Sequence, residues 1–292
     1  MDKIADILKK KEHVCSFEFF PPKTDKGFEN LVRTIEQLAV FKPDFISCTY
    51  GAGGGNRAKT LDVVQHIQQQ HKITGLAHLT CVLHTKNEIR NILEDIRSRG
   101  IKNVLALRGD PPQDNPGWKP GRDNFKYSSE LCRFIRDHFG NDFSIGVAGF
   151  PEGHILCPDK DRDAQYLKAK IDNGADFVIT QLFFDNKLYF DYAARLRKLG
   201  VTAPIIPGIL PVTNYQGLVK FCGTCGATVT EEVKKIFEPI QNDPEATIAA
   251  GVRFAVRQCR ELLDGGAPGL HFYCLNKISP TDKILAELRK QK

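Results

Sequence analysis

The chain has 292 residues, 41% hydrophobic and 26% charged, which is enough apolar material for one large core and too much for a disordered chain. Its net charge of +6 is modest and scattered, with no basic stripe interleaved with aromatics, so nucleic acid is not an expected partner and a small anionic ligand is. No run approaches the ~18 apolar residues of a membrane helix, and nine cysteines set in apolar stretches read as reduced thiols, so no membrane association and a cytoplasmic location are expected.

The start, MDKIADILKKKEH, reads as a charged amphipathic helix rather than a signal peptide. Eight short apolar runs follow, nearly every one ending in polar residues: SFEFFPP (16–22), FISCTYGAG (45–53), GLAHLTC (75–81), VLALRGDPP (104–112), IGVAGFPEGH (145–154), FVITQLFFD (177–185), PIIPGILP (204–211) and LHFYCLN (270–276). Segments of helical period separate them, at 28–41, 59–69, 87–100, 128–140, 164–175 and 189–200, several closing on a Gly stop signal. Glu18, Thr49, His78 and Arg108 fall 31, 29 and 30 residues apart, about one βα unit each.

Repeated βα units require right-handed crossovers and a parallel sheet, and eight of them predict a closed (β/α)8 TIM barrel of the α/β class spanning 1–292 as a single domain. Extra helices are expected around 214–222, 230–239 and 245–264, before the eighth strand. The Pro/Gly-rich stretch 111–126 reads as a long loop after strand 4. Such a barrel gathers its strand ends at one mouth, so residues remote in sequence can form one site.

Alternation puts Ser16, Glu18 and Phe20 on one strand face and Phe17 and Phe19 on the other, so Glu18 should face the barrel interior near the mouth. Burial among aromatics would raise its pKa and make it a proton donor near neutral pH. A structural ion pair with an interior Lys or Arg is the competing reading. Arg108-Gly109-Asp110 turns the chain at the mouth: Arg offers a planar cationic donor, Gly a close backbone approach, and Asp a charge to stabilise a cationic substrate. An Arg108–Asp110 salt bridge bracing the turn is the plainer alternative.

The glycine-rich stretch 49–55 departs from G-x-G-x-x-G at Asn56 and is not a dinucleotide fingerprint. His78 and His154 sit at strand ends, but neighbouring strand ends carry Thr, Gln and Pro, so no metal centre is expected. Gln181 offers both donor and acceptor for a heterocycle edge. Asp163 and Lys170, seven residues apart, suit a nucleotide's ribose and phosphate, with a solvated helix face as the bland alternative. Cys222 and Cys225 form a lone CxxC, read as incidental helix-end thiols.

Taken together, SFEFFPP, TYGAGG, AHLTC, ALRGDPP, PEGH, ITQLFFD, PGILP and HFYCLNK resemble the 5,10-methylenetetrahydrofolate reductase family, in its single-domain bacterial type, along essentially the whole chain. The resemblance implies non-covalent FAD, reduced by NADH or NADPH and then passing hydride to methylenetetrahydrofolate to form the methyl compound. It implies catalytic roles for Glu18, which protonates the folate nitrogen, and Asp110, which stabilises the iminium cation. It implies cofactor contacts at Thr49, Tyr50, Ala52, His78, Arg108, Gly109, Asp110, Ser128, Phe150, His154, Asp163 and Lys170, and folate contacts at Asp110, Gln181, Phe221 and Lys277. A homo-oligomer is expected. An arrangement in which the barrel takes electrons from an iron–sulfur partner subunit is an alternative, and a non-flavin lyase a more distant one. Tyr166 and Ala169 stand where some relatives carry Asn and Arg on the nucleotide helix, and Lys277 where an Arg is usual.

Overall fold

The computed structural model describes residues 1–50, 57–111 and 115–290, the side chain of Arg57 excepted. Eight parallel strands close a barrel in chain order: β1 (Val14–Phe19), β2 (Phe45–Cys48), β3 (Thr74–Thr80), β4 (Asn103–Leu107), β5 (Ser144–Gly149), β6 (Phe177–Leu182), β7 (Ile205–Ile209) and β8 (Gly269–Tyr273). The seam pairs β1 with β8 in parallel, setting Ser16 against His271 and Glu18 against Tyr273.

Both faces of each strand are covered, which is why the strands read as apolar runs rather than alternating patterns. Outward residues such as Phe17, Phe19, Ile46, Leu79, Val104 and Val147 pack under the ring of helices. Inward residues Val14, Phe45, Leu76, Leu105, Phe177, Ile179 and Ile206 fill the barrel itself. The filled lower barrel confines any site to the C-terminal mouth.

Among the described residues there are eleven α-helices. The first, α1 (Ile4–Lys10), lies across the N-terminal end of the barrel: Ile4 is fully buried with the interior residues, its N–H donates to Asn103 Oδ1 at 2.7 Å, and Ala5 N–H donates to Ser144 Oγ at 3.1 Å. The expected amphipathic helix is therefore a bottom plug. The barrel helices α2 (Asp25–Ala39), α3 (Arg57–His71), α4 (Lys86–Ser98), α5 (Ser128–Phe139), α6 (Lys160–Asp172) and α7 (Asn186–Lys198) follow the predicted periods with ends displaced by a few residues. Local signals set several starts. Thr85 and Glu88 make a reciprocal capping box on α4, and Asp159 and Asp185 cap α6 and α7.

The predicted insertion before β8 is present as α8 (Tyr215–Cys225), α9 (Glu231–Phe237) and α10 (Pro244–Asp264), with a second apolar cluster around Leu210, Tyr215, Val233, Phe237 and Phe254. A last helix, α11 (Thr281–Arg289), packs on α10; the sequence reading did not identify it. None of these helices is long and apolar enough to cross a membrane.

Candidate functional site at the barrel mouth

Residues of β2, β3 and β8 converge on Glu18 of β1 at the mouth. Strand alternation sends Ser16 and Glu18 inward while Phe17 and Phe19 anchor the outer face, fully buried. The Glu18 side chain is 12% exposed, with Oε2 3.2 Å from His78 Nε2 on β3 and 3.4 Å from His271 Nε2 on β8. Ser47 on β2 donates to the same oxygen at 3.4 Å.

This arrangement overturns the expectation of a raised Glu18 pKa. Burial does push the carboxyl upward, but the His78 charge and the hydrogen bond from His271 outweigh it and hold the group at about 2. The aromatics that were to desolvate Glu18 point the other way, toward the helices. Among the described residues no Lys or Arg pairs with Glu18; its ion-pair partners are the two histidines.

His271 and Tyr273 also line the mouth beside Glu18, and sequence reasoning missed them. They share the inner face of β8 by the alternation already applied to β1, so the signal lay in HFY (271–273). His271 is fully buried, its Nδ1 2.8 Å from Ser16 Oγ, with Phe45 stacked on it at 6.0 Å and Tyr273 edge-on at 5.4 Å. Tyr273 donates to Thr180 O at 2.6 Å, and burial together with the Glu18 charge keeps its hydroxyl protonated.

A second group of residues lies at the ends of β4 and β5 and on α6. Lys170 donates to Ala148 O at 2.9 Å and sits 5.6 Å from the Phe150 ring centroid; burial lowers its pKa, opposed by Asp163. Asp163 is buried, with its carboxyl raised by burial and drawn back by Lys170 and by the His154 backbone N–H. The bland reading of this pair as a solvated face is therefore wrong: both turn toward the barrel. His154 packs edge-on against Phe150 at 4.7 Å, and burial, with the Arg108 and Lys170 charges, lowers its pKa. Arg108 and Lys170 thus set positive charge from two elements beside one stretch of the rim, a field suited to an anionic group.

Gly109 has φ +80°, and a Cβ there would come within 2.6 Å of Val82 Cγ1 and 2.9 Å of Thr80 Cβ, so the Arg108-Gly109-Asp110 turn needs glycine. Arg108 Nη2 lies 3.8 Å from Asp110 Oδ1, and the Asp110 side chain is 94% exposed. A contact that long and wet contributes little, so the bracing salt bridge is a poor account of Asp110.

Of the other expected site residues, Thr49 follows β2 with a buried hydroxyl that lacks an aligned hydrogen-bond partner among the described residues, and Tyr50 OH is 3.0 Å from His84 Nε2. Gln181 is half-buried on β6, two residues beyond the inward Ile179. Ser128 is buried at the first turn of α5. Phe221 on α8 is exposed, as is Lys277 in the turn after β8. Ala52 lies outside the described residues. The CxxC occupies the last turn of α8, where burial pushes the Cys222 thiol up to about 12 and Cys225 Sγ points at Cys222 O, 3.8 Å away.

Residues 3–289 match the family model described as methylenetetrahydrofolate reductase. The chain is 38% identical over 297 residues to methylenetetrahydrofolate reductase (NADH) 1 of Arabidopsis thaliana, covering 99% of this chain and 50% of the relative. It is 37% identical over 262 residues to 5,10-methylenetetrahydrofolate reductase of Pectobacterium carotovorum, covering 90% of this chain and 85% of the relative. The chain spans about half the length of the plant and fungal relatives it matches. Among solved structures, an uncharacterized Clostridium thermocellum protein described as binding two copies of 5-methyl-5,6,7,8-tetrahydrofolic acid shares the fold at TM-score 0.66 and 16% identity, over 98% of this chain and 97% of the other.

Proposed function

The chain belongs to the methylenetetrahydrofolate reductase family, and from that premise we propose that it reduces 5,10-methylenetetrahydrofolate to 5-methyltetrahydrofolate, using FAD and a reduced nicotinamide. The observation that carries the reading is Glu18: a carboxyl group set at the mouth of a filled barrel, between two imidazoles and partly open to solvent. The folate bound by a barrel of the same shape supports the substrate class.

The residues present suit a flavin. Among the described residues Thr49 Oγ1 is a buried polar atom without an aligned hydrogen-bond partner, the kind of group that a ligand's heteroatoms satisfy. The Gly109 turn allows close approach of a flat ring, and the rim formed by Arg108, His154, Lys170 and Asp163 suits a diphosphate and ribose. When bound, the flavin supplies two-electron hydride carriage between nicotinamide and folate. Tyr50, Ser128 and Phe150 complete the proposed cofactor contacts, with Ala52 proposed from sequence alone.

The chain's own residues do the remaining work. Glu18 delivers a proton to the folate nitrogen whose bond breaks as the methylene bridge opens, and exposed Asp110 stabilises the iminium cation that results. Gln181 reads the pterin edge with its two-sided amide, while Phe221 and Lys277 bind the rest of the folate. The barrel as a whole is the proposed catalytic unit.

The test uses purified protein supplied with FAD, reduced anaerobically by NADH and by NADPH in separate runs, then mixed with methylenetetrahydrofolate. Retained yellow colour, bleaching by one nicotinamide and reoxidation with 5-methyltetrahydrofolate as product are expected. Protein that stays colourless overturns the flavin. Bleaching by dithionite but by neither nicotinamide overturns the donor, and no reoxidation overturns the substrate.

A further inference from the structure

We propose that His271 is the proton store for Glu18, a positioning residue buried beneath the carboxyl that holds the proton Glu18 hands to the substrate. The inference rests on the reductase reading above, which needs one proton at the folate nitrogen in each turnover.

The argument starts from a hydroxyl with one proton to give. Ser16 Oγ donates to Leu270 O at 3.3 Å, and the same oxygen lies 2.8 Å from His271 Nδ1. In the arrangement we infer, the Ser16 proton goes to Leu270 and Nδ1 carries a hydrogen that it donates to Ser16, which leaves Nε2 facing Glu18 Oε2 at 3.4 Å. A bare Nε2 against a carboxylate sets lone pair against lone pair. A proton placed between them converts the contact into an imidazolium–carboxylate pair, so the two groups bind and release that proton as a unit.

Burial supplies the route. Ser16 and His271 are fully buried, whereas the Glu18 side chain is 12% exposed, so the path from His271 to the mouth runs through the carboxyl. One proton enters from water by way of Glu18 to Nε2. In the folate step it returns from Nε2 to the carboxyl and passes to the substrate nitrogen; no electrons travel with it, the hydride arriving separately. The low pKa of Glu18 then ceases to conflict with its role as an acid, because the proton waits on the imidazole. Stacked Phe45 and edge-on Tyr273 hold the ring plane. The titratable groups facing the pair are His78 from β3, Tyr273 from β8, and Cys48 and Cys274, whose thiols feel the Glu18 charge.

Two measurements test this. In the FAD-loaded protein, His271→Gln should leave reduction by the nicotinamide within about twofold of the wild type and slow the folate step about tenfold at pH 8 but little at pH 6. Its alkaline limb should move to lower pH by about one unit, and Ser16→Ala, which removes the acceptor of Nδ1–H, should move it the same way. In cofactor-free protein labelled with 15N-histidine, His271 should show hydrogens on both Nδ1 and Nε2, and on Nδ1 alone in Glu18→Gln.

A loss that is the same at every pH, an unchanged profile, or a neutral Nε2–H tautomer in the wild type overturns the proposal. If His271→Gln does not fold by circular dichroism, the Ser16→Ala profile and the wild-type and Glu18→Gln spectra decide. Wild-type protein that neither binds FAD nor turns over folate fails the reductase reading, and the cofactor-free spectra still settle the His271–Glu18 pair.

Discussion

Asn276 grips the backbone of Phe20 with both ends of its amide: Oδ1 accepts from Phe20 N–H at 2.8 Å, and Nδ2 donates to Phe20 O at 3.0 Å. The bond joins the turn after β8 to the end of β1, two residues beyond Glu18. Closing the β1–β8 seam at its open end fixes where the carboxyl stands relative to the mouth.

Replacing Asn276 by Ala removes both bonds from a partly solvated site, at a cost of about 1–2 kcal/mol. The larger effect should fall on function. A strand end that is free to shift misplaces Glu18, so the folate step should slow about tenfold while reduction by the nicotinamide changes little. Stopped-flow measurement of the two half-reactions checks this. Equal loss in both would mean that the clasp supports the whole mouth rather than the acid.

Glu18→Gln should abolish folate reduction, by about 10²–10⁴-fold, and spare reduction by the nicotinamide, because only the second half-reaction consumes the proton. The same variant reports on stability. The folded carboxyl titrates at about 2 against an ordinary 4.5, so its contribution is fully present above pH 4.5 and is lost as pH falls toward 2. That contribution amounts to roughly 3 kcal/mol at most, from two and a half pKa units. Urea unfolding between pH 7 and pH 2.5 should therefore show a shallower acid decline in Glu18→Gln than in the wild type.

The charge state of Glu18 shows where reading the sequence runs out. The barrel was legible because eight parallel strands, buried on both faces, leave eight apolar runs at one βα spacing, and the helix periods between them were equally plain. The inward direction of Glu18 followed from alternation alone. Its pKa did not, because the deciding neighbours lie 60 and 253 residues along the chain, brought in by β3 and by the closing of β8 onto β1. His271 could have been found by applying alternation to β8. That it would meet Ser16 on one side and Glu18 on the other depends on the seam register, which no local pattern encodes. Asp163 and Lys170 are the opposite case: their helical spacing alone fits a solvated face as well as a ligand, and it is the packing of α6 on the barrel that turns them inward.

The plug at the bottom of the barrel makes a stability prediction separate from the site. Asn103 is fully buried, accepting from Ile4 N–H and donating to Asp2 O and Gly75 O, both at 3.1 Å. Asn103→Ala strands all three partners and should cost about 2–4 kcal/mol, and Ile4→Ala, which empties a filled interior position, should cost a similar amount. Because the plug lies at the far end from the mouth, flavin affinity of the folded fraction should stay within about twofold of the wild type. Denaturant midpoints and flavin titration separate the two effects. A loss of flavin binding at full stability would refute the division of labour.

Gly109→Ala reverses that pattern. The positive φ at Gly109 strains any residue with a side chain, and the added Cβ would press on Val82 and Thr80 at the end of β3, so the turn must open. Opening it moves Arg108 and Asp110, the two charged groups that the turn presents to the mouth. Global stability should fall by only about 1–2 kcal/mol, since a rim turn can relax outward into solvent. Flavin affinity should fall at least about tenfold, because both the close approach and the Arg108 position are lost together. Isothermal titration of FAD into the stripped variant, set beside its unfolding curve, checks the prediction. Wild-type affinity in Gly109→Ala would show that the Arg108-Gly109-Asp110 turn does not shape the cofactor site.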